Sequence, residues 1–201
     1  MDFILNFSQV DKDSLPQVGG KNASLGEMIK AGIRVPPGFA VTTESYVSFI
    51  NRTGIRDKIL NRLSDLDSND VAALNRAGRD VQALIMGAPV PEEINEAVKK
   101  GYVRLCGECG KETVPVAVRS SATAEDLPNA SFAGQQDTYL WIQGAGQVMK
   151  KVKGCWASLF TPRAISYRAK NHFPHESVFI SVGVQQMVNS KAAGVMFTIN
   201  P

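Results

Sequence analysis

Side chains suited to binding a phosphate group occur together between residues 116 and 140. Arg119 follows the apolar, β-branched run 114–118, which we interpret as a buried strand ending at the arginine. A guanidinium group presents a planar fork of N–H donors, and Gly134 would let a ligand approach the backbone. The hydroxyl groups in this stretch belong to Ser120, Ser121 and Thr123. Because such residues are also common in loops, the stretch predicts either an anion site or a polar hairpin turn.

A second candidate for anion binding is the pair of glycines before Lys21. Gly19 and Gly20 precede a run with helical apolar spacing, so a glycine turn should lead into a helix N-terminus at the lysine. Free N–H groups and the helix dipole favour an anion there, and the lysine adds a full charge. The spacing is not that of a P-loop, so a capped helix without a ligand fits equally well.

Cysteine and histidine pairs could suggest a metal site, but their spacing argues against one. Cys106 and Cys109 form a C-x-x-C motif, and His172 and His175 form an H-x-x-H motif. Zinc-binding pairs normally lie much closer together in sequence, so we predict no metal site here. With Cys155 the chain has 3 cysteines, an odd number that argues against a disulfide framework. Reduced thiols are expected.

Composition excludes some classes of partner. The chain has 201 residues, 22 basic and 19 acidic side chains, and a formal charge of +3, which is too balanced to predict nucleic acid or an anionic membrane as a partner. Between Thr138 and His175 there are 6 Lys or Arg and no Asp or Glu. A solvated helix face explains this run better than a polyphosphate site. With no leader-like N-terminus and no apolar span of membrane length, we expect a cytoplasmic protein.

The expected elements alternate between strands and helices. The first expected elements are a strand over 3–7, a helix ending at Gly32 and a strand over 39–41. Apolar periodicity then predicts only helices, so we interpret residues 43–106 as a helical subdomain. Residues 112–201 read as a mixed β/α region. Its expected elements are helices over 147–153 and 156–160, a helix from Pro162, a strand within 177–188 and its hairpin partner over 194–199. The predicted fold class is α+β.

Several long motifs in the same order closely resemble one family. The resemblance is to the N-terminal ATP-binding region of phosphoenolpyruvate synthases (pyruvate, water dikinases), and it extends from about residue 16 to the last residue. The motifs are V-G-G-K-N-A-S-L-G-E-M from Val18, V-P-P-G-F from Val35, the run 119–138, 155–160, 163–168 and Q-Q-M from Gln185. Rifampicin phosphotransferases share the central run, and pyruvate, phosphate dikinases are less similar.

The resemblance implies an ATP-grasp-like N-terminal lobe with an inserted helical subdomain, in which ATP lies between two lobes. Lys21 would meet the nucleotide phosphates and Arg119 would clamp them, which makes both candidate catalytic residues. Gly134 and Thr138 would line the phosphate loop, and Gln185 would face the nucleoside. Mg²⁺ would assist, held mainly by residues of the following half of the grasp.

The family also implies partners. A complete synthase makes phosphoenolpyruvate, AMP and phosphate from pyruvate, ATP and water, through a phosphohistidine on another domain. Remaining domains or a second subunit would carry that histidine and a pyruvate-binding barrel, so we expect the isolated chain to be inactive. Neither His172 nor His175 has the family's phosphohistidine surroundings. Two alternatives stay open: the lobe of an antibiotic phosphotransferase, and a non-catalytic interaction module that retains the fold.

Overall fold

The structure is a computed structural model that describes residues 2–64, 66–67, 70–123, 126–127, 130–131, 137–171 and 173–194, with the backbone alone at 126–127 and 130–131. The α-helices are α1 (Leu15–Lys30), α2 (Thr43–Arg52), α3 (Arg56–Leu63), α4 (Val71–Gly87), α5 (Glu92–Glu108), α6 (Ala145–Ser158) and α7 (Pro162–Lys170). The strands are β1 (Ile4–Asn6), β2 (Gly38–Val41), β3 (Val116–Ala122), β4 (Asp126–Leu127), β5 (Ala130–Ser131), β6 (Thr138–Ile142) and β7 (Ile180–Gln186). Short 3₁₀ helices cover Phe7–Gln9, Lys12–Ser14 and His175–Ser177.

One antiparallel sheet organises the described part of the chain. Its strand order is β1-β2-β7-β3-β6, and β4 and β5 form a separate pair. Strand β3 lies between β7 and β6, so Arg119 has Gly183 on one side and Thr138 on the other. The mixed helix and strand content agrees with the α+β prediction.

The two faces of this sheet carry different layers. Directly opposed residues of neighbouring strands project to the same side, so Arg119, Thr138 and Gly183 share one face. Helix α1 packs on that face, over a small apolar cluster of Phe7, Val10, Val18, Ala23 and Ala40. The opposite face presents apolar strand residues, including Val118 and Val184, to a much larger core.

Helices α2 to α7 build that larger core. Trp156 of α6 is fully buried and stacks on Phe49 of α2, with ring centroids 4.8 Å apart. Buried side chains from all six helices belong to one apolar cluster with the strand residues. The region 43–106 is therefore helical where it is described, and it shares its core with the sheet. Its status as an inserted subdomain stays a prediction.

Strand β3 differs from its prediction at both ends. It begins at Val116 and continues to Ala122, so the expectation that the strand ends at Arg119 is wrong. The two serines after the arginine remain in the sheet, because β7 pairs with them in unbroken register. Their hydroxyls are also satisfied: Ser120 Oγ donates to the Asp137 carbonyl, and Ser121 Oγ accepts from the Asn22 N–H.

Helix α6 also differs, because one helix replaces the two predicted over 147–153 and 156–160. Gly154, between the two predicted ranges, lies inside the helix. A Cβ there would come within 2.7 Å of the Tyr139 hydroxyl, so the glycine makes room for a strand side chain instead of ending the helix. Of the predicted hairpin partner over 194–199, every residue after Gly194 lies outside the described residues.

The basic run between Thr138 and His175 is not entirely a solvated face. Arg168 is 1% exposed, and its Nε donates to His175 Nδ1 over 2.9 Å. Its two terminal nitrogens have no hydrogen-bond partner within the described ranges, and its guanidinium lies 5.4 Å from the Phe160 ring centroid. Burial lowers the pKa of Arg168 to about 10. Burial, together with the nearby Arg168 charge, lowers the pKa of His175 from 6.5 to about 4.

The lowered pKa of His175, beside Arg168, predicts that the folded chain loses stability in acid. The pKa of His175 is lower in the folded chain than in the unfolded chain, so between pH 6.5 and about 4 the unfolded state binds more protons. The free energy of unfolding should therefore be fully present above pH 6.5 and fall as the pH falls. Because the ring is partly exposed, we expect a loss of only about 1–2 kcal/mol.

The matched variant for this measurement is His175→Asn, whose amide oxygen can still accept from Arg168 Nε but does not titrate. Urea unfolding of both proteins from pH 7.5 to 4.5 should show a shallower pH dependence for the variant. Equal slopes would contradict the assignment to His175.

Candidate functional site

A glycine interrupts helix α1 and creates a new helix start at the candidate lysine. Gly19 has φ +71° and ψ 165°, values that no α-helix allows, so the residues from Gly20 to Lys30 form the continuous part of α1. The predicted glycine turn ahead of a helix N-terminus is therefore present. Lys21 lies in the first turn of this part, half-buried, and its Nζ donates to the Ser120 carbonyl over 3.3 Å.

The same glycine brings the helix start against the sheet. A Cβ on Gly19 would lie 2.3 Å from the Ser121 carbonyl oxygen and 2.4 Å from its Oγ. Only a residue without a side chain permits this approach. The first turn of the helix is thus held beside β3, the strand that carries Arg119.

A buried amide joins the helix start to the two central strands. Asn22 is 2% exposed, and its Nδ2 donates to the Val18 carbonyl over 2.9 Å and to Ser181 Oγ over 3.1 Å. Ser181 Oγ in turn donates to the Val41 carbonyl over 2.8 Å. The backbone N–H of Asn22 donates to Ser121 Oγ over 3.4 Å. Strands β2, β3 and β7 all therefore contribute to holding this residue.

Three of the five predicted site residues line one small pocket. They are Lys21 from α1, Arg119 from β3 and Gln185 from β7. Arg119 is half-buried in the middle of its strand, and the Gln185 amide, 8% exposed, donates to the Pro36 carbonyl over 3.2 Å. The rest of the lining is Phe7, Asn22, Leu25, Ser120 and Gly183.

The fourth predicted residue, Thr138, lies beside this pocket. It is exposed at the start of β6 and is the register partner of Arg119. Asp137, just before it, is tied to β3, because its carbonyl accepts from the Ser120 N–H and hydroxyl over 3.3 and 3.2 Å. Its carboxylate accepts from the Tyr139 hydroxyl over 2.8 Å. The fifth predicted residue, Gly134, lies outside the described residues.

Sequence reasoning missed Ser181 and Gly183, and it treated Asn22 only as part of a motif. A Cβ on Gly183 would lie 2.4 Å from Asn22 Oδ1, so this glycine makes room for the amide over the sheet. A glycine inside a strand pattern is a known signal of close approach. That signal was available in the sequence, but it does not reveal which residue approaches.

The pocket has the chemistry of an anion site. A lysine, an arginine and the start of a helix converge, and each supplies N–H donors or positive charge. In the described ranges, no group of three or more His, Cys, Asp or Glu side chains could hold a metal ion. Nor does any helix in those ranges have the length and apolar character needed to cross a membrane.

Comparison with known proteins identifies the family of the chain. Residues 15–201 match the model of the pyruvate phosphate dikinase AMP/ATP-binding domain family, which is nearly the whole chain. The chain therefore belongs to this family of nucleotide-binding domains.

Curated relatives point to one kind of enzyme. The chain is 53% identical over 201 residues to a protein of Staphylothermus marinus named "Probable phosphoenolpyruvate synthase", covering 99% of this chain and 24% of the relative. A protein of Methanocaldococcus jannaschii with the same name is 52% identical over 201 residues, with 100% and 17% covered. The "Phosphoenolpyruvate synthase" of Pyrococcus furiosus is 45% identical over 231 residues, with 99% and 28% covered. The chain thus spans between about a sixth and a little over a quarter of these relatives' lengths.

Proposed function

We propose that this chain is the ATP-binding lobe of a phosphoenolpyruvate synthase and forms one wall of an ATP-grasp-like nucleotide site. The observation that carries the proposal is the convergence of Lys21, Arg119 and Gln185 on one pocket beside a helix start. Membership of an ATP-binding family and the names of the relatives support it.

Lys21, Arg119 and Gln185 have roles that their positions in the pocket support. Lys21, at the helix start, would neutralise phosphate charge together with the positive end of the helix dipole. Arg119, fixed within a strand, would bind phosphate oxygens through its planar fork. Thr138 and Gly134 would line the phosphate loop, and Gln185 would face the nucleoside. Positioning and neutralisation of developing charge are the main requirements of phosphoryl transfer.

The complete reaction requires more than this lobe. We propose that the phosphoryl group passes to a histidine on another domain or subunit, and that pyruvate is the final acceptor, with phosphoenolpyruvate, AMP and phosphate as products. When bound, Mg²⁺ would neutralise charge on the phosphates. We assign no magnesium ligand among the described residues, which contain no suitable cluster. The free cysteines agree with a cytoplasmic location, which we also propose.

Calorimetric titration of the 201-residue chain tests nucleotide binding. ATP should bind more tightly than adenosine, because the donors at the pocket recognise phosphates. Equal affinity for both, or saturable binding of adenosine alone, would contradict a phosphate role for this pocket. The chain alone should form no AMP from ATP, Mg²⁺ and pyruvate, and sustained turnover would contradict the claim that other domains are required.

A chimera tests whether this lobe can supply the ATP site of a phosphoenolpyruvate synthase. In the Staphylothermus marinus relative, the matching residues can be replaced by this chain. Pyruvate-dependent AMP formation by the chimera would support the synthase assignment. A folded chimera that binds ATP but does not turn over would contradict the synthase assignment, and one that binds no ATP would favour the interaction module.

A further inference from the structure

We infer that Asn22 is a positioning residue that holds Lys21 at the correct distance from Arg119 for both to bind the same phosphate chain. The inference rests on the proposed ATP site, and it adds a residue to which neither the family nor the relatives' names assign a role. Asn22 acts through the backbone and through the strands that it joins.

The hydrogen bonds between helix α1 and strand β3 follow the order of residues in both elements. Successive residues of α1 bind successive residues of β3: Lys21 Nζ donates to the Ser120 carbonyl, and the Asn22 N–H donates to Ser121 Oγ. Arg119 immediately precedes these two serines on the same strand. A shift of the helix start along the strand would break both contacts, so the pairing sets the spacing between the lysine and the arginine.

The Asn22 side chain adds a second strand, β7, to this alignment. Its amide nitrogen has two hydrogen-bond partners, one in the turn before the helix and one on β7, at Val18 and Ser181. Its oxygen lies over Gly183, where a Cβ would come within 2.4 Å. Because β7 separates β2 from β3, the amide holds the helix start on the centre of the sheet.

A polar group suits this function better than an apolar one. Apolar contacts are non-directional, so an apolar side chain would let the helix start slide over the sheet. A buried amide satisfies its donors in only one orientation, so it fixes the position of the helix start. Removing it should therefore change that position as well as lower the free energy of unfolding. The neighbouring apolar cluster on this face has few members, so it cannot fix the alignment alone.

The test compares the affinities of the chain for ATP and adenosine in three variants, Asn22→Ala, Ser181→Ala and the double variant. Removing the amide should weaken ATP binding about tenfold while adenosine affinity changes less than about twofold. Ser181→Ala should have a smaller effect in the same direction. The double variant should be no worse than Asn22→Ala, because both changes remove one network.

Ser45→Ala is the matched control. Ser45 is also fully buried and donates one hydrogen bond, to the Phe3 carbonyl over 2.7 Å, but it lies on α2 and does not line the pocket. The substitution Ser45→Ala should lower the free energy of unfolding while leaving the ratio of ATP to adenosine affinity unchanged. An unchanged ratio in Asn22→Ala, or an equal change in Ser45→Ala, would overturn the inference.

Hydrogen exchange separates this inference from the proposed function. In Asn22→Ala, the backbone amides of residues 18–25 should exchange about tenfold faster than in Ser45→Ala, because their attachment to the sheet is lost. Unchanged exchange there would overturn the positioning role even where ATP binds. Failure of the unaltered chain to discriminate ATP from adenosine would instead count against the proposed function.

Discussion

Replacing Gly19 by alanine is expected to destabilise the folded chain by about 3 kcal/mol or more, the sum of backbone strain and overpacking. The backbone of Gly19, at φ +71° and ψ 165°, is in a region that residues with a side chain essentially do not occupy. The new Cβ would also lie 2.3 Å from the Ser121 carbonyl oxygen. That oxygen belongs to the backbone of a central strand and cannot move aside cheaply.

Alanine substitutions at two other glycines separate the cost of backbone strain from the cost of overpacking. Gly110 has φ +63°, but an added methyl group would meet nothing within 4 Å, so Gly110→Ala should cost only about 1 kcal/mol from backbone strain. Gly146 lies in α6 with open space around it, so Gly146→Ala should be neutral or stabilising by up to about 1 kcal/mol. Urea unfolding measures all three. A cost for Gly19→Ala no greater than that for Gly110→Ala would contradict the close approach of α1 to β3.

Replacing Arg119 by alanine should weaken ATP binding by about 30- to 100-fold, the range expected for loss of a charge-assisted, forked contact. The arginine is half-buried within a strand between two neighbouring strands, so its direction is set by the sheet. Adenosine affinity should change little, because the contact is with phosphate. Calorimetric titration with both ligands measures the difference.

Two arginine variants serve as controls. Arg119→Lys keeps the charge but loses the planar fork, so it should recover only part of the affinity. Arg163→Ala removes an exposed arginine on α7 that does not line the pocket, and ATP affinity should not change. Normal ATP binding by a folded Arg119→Ala protein would remove the arginine from the site.

Local sequence patterns predicted much of the fold because they act within one element. Apolar periodicity indicated the helices between residues 43 and 106, and a helical turn beginning at Pro162 was confirmed. The glycine turn before Lys21 follows from the same local chemistry. The length of β3 could not be predicted from local chemistry, because serines such as Ser120 and Ser121 are common in loops. They belong to the strand because β7 pairs with them and their hydroxyls have hydrogen-bond partners.

The assembly of the site could not be predicted from local patterns. Lys21 and Ser120 are 99 residues apart, and Asn22 and Ser181 are 159 apart, yet each pair forms a hydrogen bond. A motif can name a lysine and an arginine, but their convergence depends on the strand order. The resemblance supplied the roles of the five candidate residues, and the roles themselves stay predictions.

The strand order also bears on how the chain folds during synthesis. Strand β7, near the end of the described chain, lies between β2 and β3, both of which are made much earlier. Until β7 is available, β2 and β3 have no contact through the sheet, and each presents an open edge on which another chain could pair. The pocket between Lys21, Arg119 and Gln185 can therefore close only after Gln186, the last residue of β7, has left the ribosome. Nucleotide binding would then favour chains in which β7 has paired over every shorter intermediate.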